Sequence, residues 1–264
     1  MLRSKKYLIA VGVLLGLNAQ ALEVQSQNET LDEALITDRP DFTESPQVVP
    51  QGRVQIEGGV TYSREGARRA TGGGEVLVRV PVAKKVEVRF GLPSYVWQRD
   101  GGRSSGLDDA FLGAKFALSP GDAQRKKPAL GLLIGATLPT GANAIGEDAY
   151  QPEAILSASW ELSPKLAFNS NVGYGRPSDG GTRFSQLLGS VSLGFTLNDK
   201  WGAFAEVYGL TKADAAGKSA KYVDGGVTYL INNDFQLDAR LGFGLNNKLG
   251  GPDYFAGVGA SRRF

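Results

Sequence analysis

Two residue types are missing from this chain of 264 residues, which contains no cysteine and no histidine. The lack of cysteine excludes disulfides, a thiolate nucleophile and Cys-ligated zinc or iron–sulfur sites. The lack of histidine excludes Ser-His-Asp and Cys-His catalytic pairs and imidazole metal ligands. No run of 18 or more apolar residues follows the N-terminus, so no transmembrane helix is predicted there. We therefore expect no enzyme activity, no cofactor and no metal.

The first 21 residues have the features of a cleaved export signal. Arg3, Lys5 and Lys6 precede an apolar stretch over residues 7–17, and Ala19-Gln20-Ala21 is a small-x-small cleavage site. We predict cleavage after Ala21; the alternative is an uncleaved anchor. Cleavage leaves 26 Lys plus Arg against 27 Asp plus Glu, so the formal charge becomes −1 instead of +2. The mature chain therefore gives no reason to expect a nucleic-acid partner.

From residue 52 onward, apolar and polar residues alternate with a period of two, which is typical of half-buried strands. Residues 235–245 are the clearest case, because Phe235, Leu237 and Leu241 alternate with Gln236 and Asp238. The alternating stretches are 10–16 residues long, whereas a tilted strand needs about 9–11 residues to cross a bilayer. We therefore predict an all-β fold for residues 52–264: a transmembrane antiparallel up-and-down β-barrel of about twelve strands. The predicted strands are 53–63, 73–82, 84–97, 107–118, 128–138, 150–162, 165–176, 182–197, 200–211, 219–231, 234–246 and 252–264.

The predicted connections alternate between tight turns and longer polar loops. Tight turns are expected at 82–84, 163–164, 198–199 and 232–233, and longer loops at 64–72, 98–106, 140–148, 177–182, 212–218 and 247–252. The exception is 119–127, a long basic stretch where the alternation requires a tight turn. Outer-membrane barrels have short periplasmic turns and longer outer loops. The pattern predicts the cell outer membrane of a Gram-negative bacterium, with both termini in the periplasm and membrane lipid around the wall.

Aromatic residues on the apolar face collect beside the predicted periplasmic turns, as expected for an interfacial girdle. These residues are Phe116, Trp160, Phe168, Phe195, Trp201, Tyr229, Phe235 and Phe264, and a looser outer ring contains Tyr62, Tyr174, Phe243 and Tyr254. A soluble β-sandwich with a core rich in aromatic residues is the alternative. The last strand closes on Phe264, which resembles the signal read by the barrel-assembly machinery, although Arg262 stands where an apolar residue is more usual.

The opposite face of the strands is charged, so it must face water or be paired inside the barrel. The candidate lumen- or pore-lining residues are Glu57, Glu75, Arg79, Glu87, Arg89, Asp109, Lys115, Glu153, Glu206, Asp224, Asp238 and Arg240; Lys85 and Glu161 share their parity. Two interpretations remain open and can coexist. The charges form a cross-strand ion-pair network that fills the lumen, or they line a narrow, weakly cation-preferring path. Twelve strands lie between barrels whose interior is just filled and those with an open channel, so we expect a constricted pore.

Residues 22–51 precede the first predicted strand and form a periplasmic lead. Its acidic first part, residues 22–36, lacks any periodicity, whereas the following Thr-Asp-Arg-Pro-Asp stretch suits an ordered extended segment. We predict that it enters the lumen mouth as a small plug, with Asp38, Arg39 and Asp41 as the candidate residues and Arg39 paired with lumenal carboxylates. The alternative is a solvated linker.

Four stretches resemble an outer-membrane family described as meta-pathway phenol-degradation proteins, often called transporter-like. They are residues 36–63, 106–118, 138–141 and 162–165, and the most specific parts are the Asp38-Arg39-Pro40…Thr43 core and the Asp109…Lys115 pair. This chain has Asp108 where the family usually has glycine. The resemblance implies an outer-membrane β-barrel with a transport role, and passage of phenolic or other hydrophobic compounds.

Two classes of function remain after the enzyme class is set aside. The first is a channel or transporter-like barrel for passive passage of small solutes, including aromatic or hydrophobic compounds. The second is a structural or interaction barrel whose lumen is closed by charged side chains and which transports nothing.

Overall fold

The computed structural model describes residues 33–217, 219–245 and 251–264, and these residues fold into long antiparallel strands. The predicted signal peptide and residues 22–32 of the predicted lead lie outside the described residues. No helix of the described residues is long and apolar enough to cross a membrane. Twelve barrel strands are found in the described ranges: β1 Gln55–Glu65, β2 Arg68–Gly73 with Val76–Ala83, β3 Val86–Leu92 with Tyr95–Asp100, β4 Gly102–Leu107 with Ala110–Asp122, β5 Lys127–Leu138, β6 Gln151–Ser163, β7 Leu166–Gly175, β8 Gln186–Thr196, β9 Trp201–Leu210, β10 Ala220–Asn232, β11 Phe235–Gly244 and β12 Tyr254–Arg263.

The sheet closes on itself. Each strand pairs antiparallel with the next in the chain, and β12 pairs with β1 from Gln55 opposite Arg263 to Arg64 opposite Tyr254. Closure leaves no unpaired edge, because the N–H and C=O groups of the first and last strands satisfy each other. The predicted twelve-stranded barrel is thereby confirmed, and the two-layer β-sandwich is wrong.

Strands β2, β3 and β4 are each interrupted and then continue as a sheet beyond the predicted loops. The interruptions lie at residues 74–75, 93–94 and 108–109, and Gly74 there has φ +71°. The predicted loops 64–72 and 98–106 are therefore wrong, since most of their residues belong to strands. The actual turns are short and lie at Gly66 and Gly101, whose φ values of +56° and +65° favour glycine. In the loop after β7, Ser178–Asp179 and Thr182–Arg183 form a small separate hairpin.

The long basic stretch 119–127 is not an exception to the alternation of turns. β4 continues to Asp122 through a register shift between Ala117 and Ser119, and β5 starts at Lys127. Only residues 123–126 form the turn, so it is tight, as the parity of the strands requires. The charged residues that made the stretch look like a loop sit at exposed strand ends and turn positions.

The outer wall of the barrel is apolar and the inner face is polar. Large aliphatic side chains on the outside are exposed along the strands, among them Val60, Ile134, Leu156, Val172 and Val258. The predicted girdle is visible as ring pairs between neighbouring strands: the centroids are 5.5 Å apart for Trp160 and Phe168 and 4.8 Å apart for Trp201 and Tyr229. Arg262 lies over the ring of Phe264, 4.9 Å from its centroid, which places its charge at the barrel rim. This inside-out distribution of polarity is that of a membrane barrel.

Candidate lumenal site

A row of cations lines the inner face of three neighbouring strands. Arg79 of β2 lies directly opposite Arg89 of β3, and Lys115 of β4 follows on the next strand. Their side chains are only 1–2% exposed. Like charges directly opposite each other on neighbouring strands repel, so this row of Arg79, Arg89 and Lys115, which we call the basic wall, requires acidic side chains beside it. Glu57 and Glu87 supply two of these acids, with Arg79 Nη1 2.8 Å from Glu57 Oε1 and Arg79 Nε 2.9 Å from Glu87 Oε1.

Residues 35–50, which we call the lumenal segment, run through the interior of the barrel in an irregular extended form. Wall carboxylates accept hydrogen bonds from its backbone: Glu57 Oε2 accepts from Asp38 N and Arg39 N at 3.0 and 3.1 Å. Glu206 Oε2 and Oε1 accept from Phe42 N and Thr43 N at 2.7 and 2.8 Å. Further along, Val49 N donates to Glu87 Oε2 at 2.8 Å. An irregular backbone buried away from water needs such partners, and the charged wall provides them.

Asp38 is the centre of the ionic contacts on the basic wall. Its carboxylate oxygens lie 2.8 Å from Lys115 Nζ, 3.0 Å from Arg89 Nη2 and 3.2 Å from Arg79 Nη1. Burial alone would raise the pKa of the Asp38 carboxyl, but Arg79, Lys115 and Arg89 outweigh it and hold that pKa well below its usual value. Asp38 is therefore ionised inside the barrel.

Glu44 completes the neutralisation of the same wall. Its carboxylate lies 2.5 Å from Arg89 Nη1 and 3.1 Å from Lys115 Nζ. The backbone of Glu44 is held by Asn171 of β7, whose side-chain amide accepts from Glu44 N at 2.6 Å and donates to Glu44 O at 3.0 Å. The lumenal segment thus brings two carboxylates to a wall on which three cations face two acids.

Arg39 binds two other wall acids, one from the interruption of β2 and one from β11. Its Nη1 lies 3.0 Å from Glu75 Oε2 and its Nη2 lies 3.3 Å from Asp238 Oδ1. The guanidinium occupies a notch between Gly59 of β1 and Gly259 of β12, which are opposite each other in register. A Cβ on either glycine would overlap with the guanidinium, so the absence of a side chain here is what admits Arg39. The predicted pairing of Arg39 with lumenal carboxylates is present.

Asp41 lies in a different environment from Asp38. It borders a cavity of about 460 Å³ at the short-turn end of the barrel, which Glu161 and Thr228 also line. Burial, followed by the neighbouring carboxylate of Glu206, raises the pKa of Asp41 well above its usual value. The lumenal segment therefore carries two paired carboxylates, Asp38 and Glu44, and a third, Asp41, for which the described residues provide no ion pair.

An aromatic ladder links the lumenal segment to the wall. The ring of Phe42 stacks on Tyr208 of β9 with centroids 4.2 Å apart and planes 7° from parallel. Tyr208 in turn stacks on Tyr222 of β10 at 4.8 Å, and Tyr222 meets Phe255 of β12 at 6.2 Å. Phe42 also packs against a small buried cluster of Leu133, Ile155 and Leu188, so the lumen has an apolar part beside its ionic one.

The structure distributes the predicted lining residues over two sides of the ring. Glu57, Arg79, Glu87, Arg89 and Lys115 lie on β1–β4, whereas Glu206, Asp224, Asp238 and Arg240 lie on β9–β11; Glu75 is at the interruption of β2, and Glu153 is on β6. Arg240 Nη1 donates to Pro40 O at 2.9 Å, so the lumenal segment is held from this side also. Lys85 and Glu161, which share the same parity, are exposed near the short turns.

Asp109 departs from the predicted lining. It follows the interruption of β4, and its carboxylate accepts backbone hydrogen bonds from Thr140, Gly141 and Glu147 at 3.0, 2.7 and 2.8 Å. It orders the loop between β5 and β6 and makes no described contact with Lys115. The interruption breaks the alternation that had placed Asp109 on the lumenal face.

The prediction missed Glu44, Asn171 and the aromatic ladder. Strand alternation places Asn171, Tyr208 and Tyr222 inside the barrel, but these residues are uncharged and so do not stand out as lumenal in the sequence. Glu44 carries no such signal because its segment has no period. Among the described residues, no group of three acidic side chains is arranged to hold a metal ion.

A closed antiparallel barrel with an apolar exterior and a polar lumen is the architecture of outer-membrane β-barrels. Within that class the chain belongs to the family described as "Putative MetA-pathway of phenol degradation", whose model matches residues 37–264. None of the curated protein sequences compared with this chain matches it significantly.

The fold is similar to those of solved porin structures. The NanC porin shares 10% identity at TM-score 0.54, over 79% of this chain and 98% of that one. The KdgM porin shares 10% identity at TM-score 0.51, over 80% and 99%. A structure described as the CymD monoaromatic hydrocarbon channel matches at TM-score 0.43 and 12% identity, over 82% and 89%, too low a score to support a detailed comparison.

Proposed function

We propose that this protein is an outer-membrane channel for the passive passage of small solutes, closed in this state by the lumenal segment. The segment contacts wall residues of strands around the whole ring, from Glu57 on β1 through Asn171 on β7 to Asp238 on β11. These contacts are ionic or hydrogen-bonded, and water can replace such partners when the segment leaves. The wall hydrogen bonds that close the barrel do not involve the segment, so the barrel can persist without it.

We further propose that the solutes include compounds with an aromatic ring. The observation that carries this proposal is the stack of Phe42 on Tyr208, 4.2 Å apart and nearly parallel. Phe42 occupies, inside the lumen, the place that a solute ring would take on the exposed face of Tyr208 once the segment has moved. Stacked aromatic pairs contribute about 0.5–1.5 kcal/mol beyond area burial, enough for preference without trapping the solute. The family description, which refers to phenol degradation, agrees with this substrate class.

The alternative is a structural barrel whose lumen stays closed. The density of the ionic contacts favours it, since Asp38 alone meets three cations. The two functions differ in one measurable respect, which is whether the lumenal segment leaves while the barrel stays folded.

A reversible lock on the segment separates the two. Thr43 Oγ1 lies 2.7 Å from Ser190 Oγ of β8, so a Thr43→Cys, Ser190→Cys double variant brings two thiols together in a chain that has no other cysteine. We expect the oxidised variant to be closed in planar bilayers and the reduced variant to conduct. The two single-cysteine variants are the matched controls, and their conductance should not respond to the reductant.

Solute preference is tested by liposome swelling with phenyl and cyclohexyl glucosides, which match in size and differ in aromaticity. We expect faster entry of the phenyl compound, and a Tyr208→Leu substitution should remove the preference. Tyr150→Leu is the control, because Tyr150 is 60% exposed and lies outside the aromatic ladder. If a folded barrel without residues 22–46 admits neither solute above a protein-free control, the channel proposal is wrong and the structural barrel remains.

A further inference from the structure

Four arginines form one row across neighbouring strands at the end of the barrel away from Gln55, where β1 begins, and Arg263, where β12 ends. In the strand register, Arg64 of β1 is opposite Arg69 of β2, Arg69 is opposite Arg99 of β3, and Arg99 is opposite Arg103 of β4. Residues directly opposite each other in antiparallel strands point to the same face of the sheet. The four guanidinium groups therefore stand side by side on one surface, which we call the arginine row.

The arginine row faces outward and not into the lumen. In β1, Thr61 donates to the lumenal Glu75 and so faces the lumen, whereas Arg64 lies on the opposite face together with the exposed Val60. On β3 the opposite face is covered, because Gln98 Nε2 donates to Ala144 O of the loop between β5 and β6 at 3.2 Å. The row thus continues the outer wall upward, beyond the level at which the wall is apolar.

The row has no internal counter-charge. None of its four arginines forms a salt bridge with a carboxylate in the described part of the chain, and the nearby Arg68–Glu65 pair belongs to the other face. Like charges directly opposite each other in a sheet are destabilising. In the lumen, the comparable row of cations on the basic wall is neutralised by the carboxylates of Asp38 and Glu44. The arginine row is therefore expected to bind an anion from outside the chain.

The surroundings of the row indicate which anion. A shallow pocket of about 470 Å³ is lined by Arg69, Arg99 and Arg103 together with Thr71, Trp97 and Ser105. Trp97 is 54% exposed and packs against Tyr95, with ring centroids 4.6 Å apart. Exposed Trp and Tyr on a membrane barrel mark the level of the lipid headgroups. Arginine is suited to phosphate, because its planar fork donates two parallel hydrogen bonds.

We propose that the arginine row binds the phosphate groups of a glycolipid in the outer leaflet. The acyl chains then lie along the apolar wall below Tyr95 and Trp97, and the phosphates lie between the guanidinium groups. The inference goes beyond solute passage, since it concerns the outer surface and holds whether or not the lumen conducts. It depends on the short turns and termini lying on the periplasmic side.

The test uses the refolded full mature chain in detergent and native mass spectrometry with bisphosphorylated lipid A as the probe. The variant is Arg69→Gln, Arg99→Gln, Arg103→Gln. The matched control is Arg125→Gln, Lys126→Gln, Lys127→Gln, which removes three exposed cations at the opposite end of the barrel. We expect the first variant to bind lipid A roughly 100-fold more weakly, since each basic residue near an anionic headgroup layer contributes on the order of 1 kcal/mol. The control should bind like the parent.

Two further arms distinguish the source of the phosphate and a merely structural role. Lipid A stripped of both phosphates should bind the parent as weakly as the variant, and inorganic phosphate in excess should not displace the intact lipid. Without lipid, the variant should melt no lower than the parent, because the substitutions relieve repulsion. Equal loss of binding in both triple variants, retention of binding by the dephosphorylated lipid, or complete displacement by inorganic phosphate would each overturn the proposal.

Discussion

Neutralising Asp38 tests how the lumenal segment is held. The Asp38→Asn substitution keeps the shape of the side chain and removes the negative charge that faces Lys115, Arg89 and Arg79 at 2.8, 3.0 and 3.2 Å. The three cations then share Glu44, Glu57 and Glu87 only. When the segment leaves, water solvates the cations, so the cost of the substitution falls on the closed state.

The magnitude follows from the burial of the pairs. Removing one partner of a buried ion pair costs about 3–5 kcal/mol, and the remaining carboxylates place this case near the lower value. A change of about 3 kcal/mol shifts the equilibrium between seated and released segment on the order of 100-fold. Because the pKa of Asp38 is lowered in the closed state, its contribution is present above about pH 4, the usual pKa of the free carboxyl, and is lost as the pH falls through the lowered value.

The assay exploits the absence of cysteine. Val49 is 3% exposed and belongs to the segment, so a Val49→Cys substitution creates the only thiol in the chain. Its rate of maleimide labelling reports the released fraction when opening is fast relative to labelling. We expect roughly 100-fold faster labelling when Asp38→Asn is added, with more frequent openings in planar bilayers.

Asp148→Asn is the matched control, because Asp148 is an exposed loop residue and its removal changes the charge equally. If Asp38→Asn labels at the rate of this control while the barrel remains heat-modifiable in gels, the reasoning is refuted, since the ionic contacts would then not decide whether the segment is seated.

Two other substitutions act on the same equilibrium. Asp41→Asn should slow labelling at pH 7, because the raised pKa of Asp41 means that its ionisation opposes the seated state. That cost begins as the pH rises above about 4, the usual pKa of the free carboxyl, and is complete above the raised pKa. The difference should therefore vanish below about pH 4, and a difference independent of pH would contradict this. Phe42→Ala should weaken seating of the segment by about 2 kcal/mol, because it removes the stack on Tyr208, and should therefore speed labelling. Phe195→Ala on the outer wall is the control and should leave the labelling rate unchanged. Equal rates for both variants would show that the aromatic ladder does not hold the segment.

The interrupted strands show where local pattern fails. The sequence predicted loops over 64–72 and 98–106 because these stretches are rich in glycine and charge, yet each hairpin continues after an interruption. Pairing with a neighbouring strand overrides weak strand propensity, since each added residue satisfies backbone groups that would otherwise be solvated alone. The same interruptions shift the alternation of inward and outward residues along the strands. For this reason the sequence pattern did not predict that Asp109 orders a loop or that the arginine row lies on the outer face.

Within each uninterrupted stretch of strand, the amino-acid sequence alone determined which side chains face lipid and which face the lumen, because alternation is a property of the strand by itself. It therefore fixed the barrel class, the number of strands and the inward position of Arg79, Arg89 and Lys115. Which charges meet was decided only by the tertiary structure. Arg39 and Asp238 are 199 positions apart, and they come together because closure of the sheet and entry of the lumenal segment bring distant strands to one point. No local pattern encodes the register around a closed ring, so the ionic contacts of the segment, the place of Glu44 and the notch of Gly59 and Gly259 emerge only when the barrel is complete.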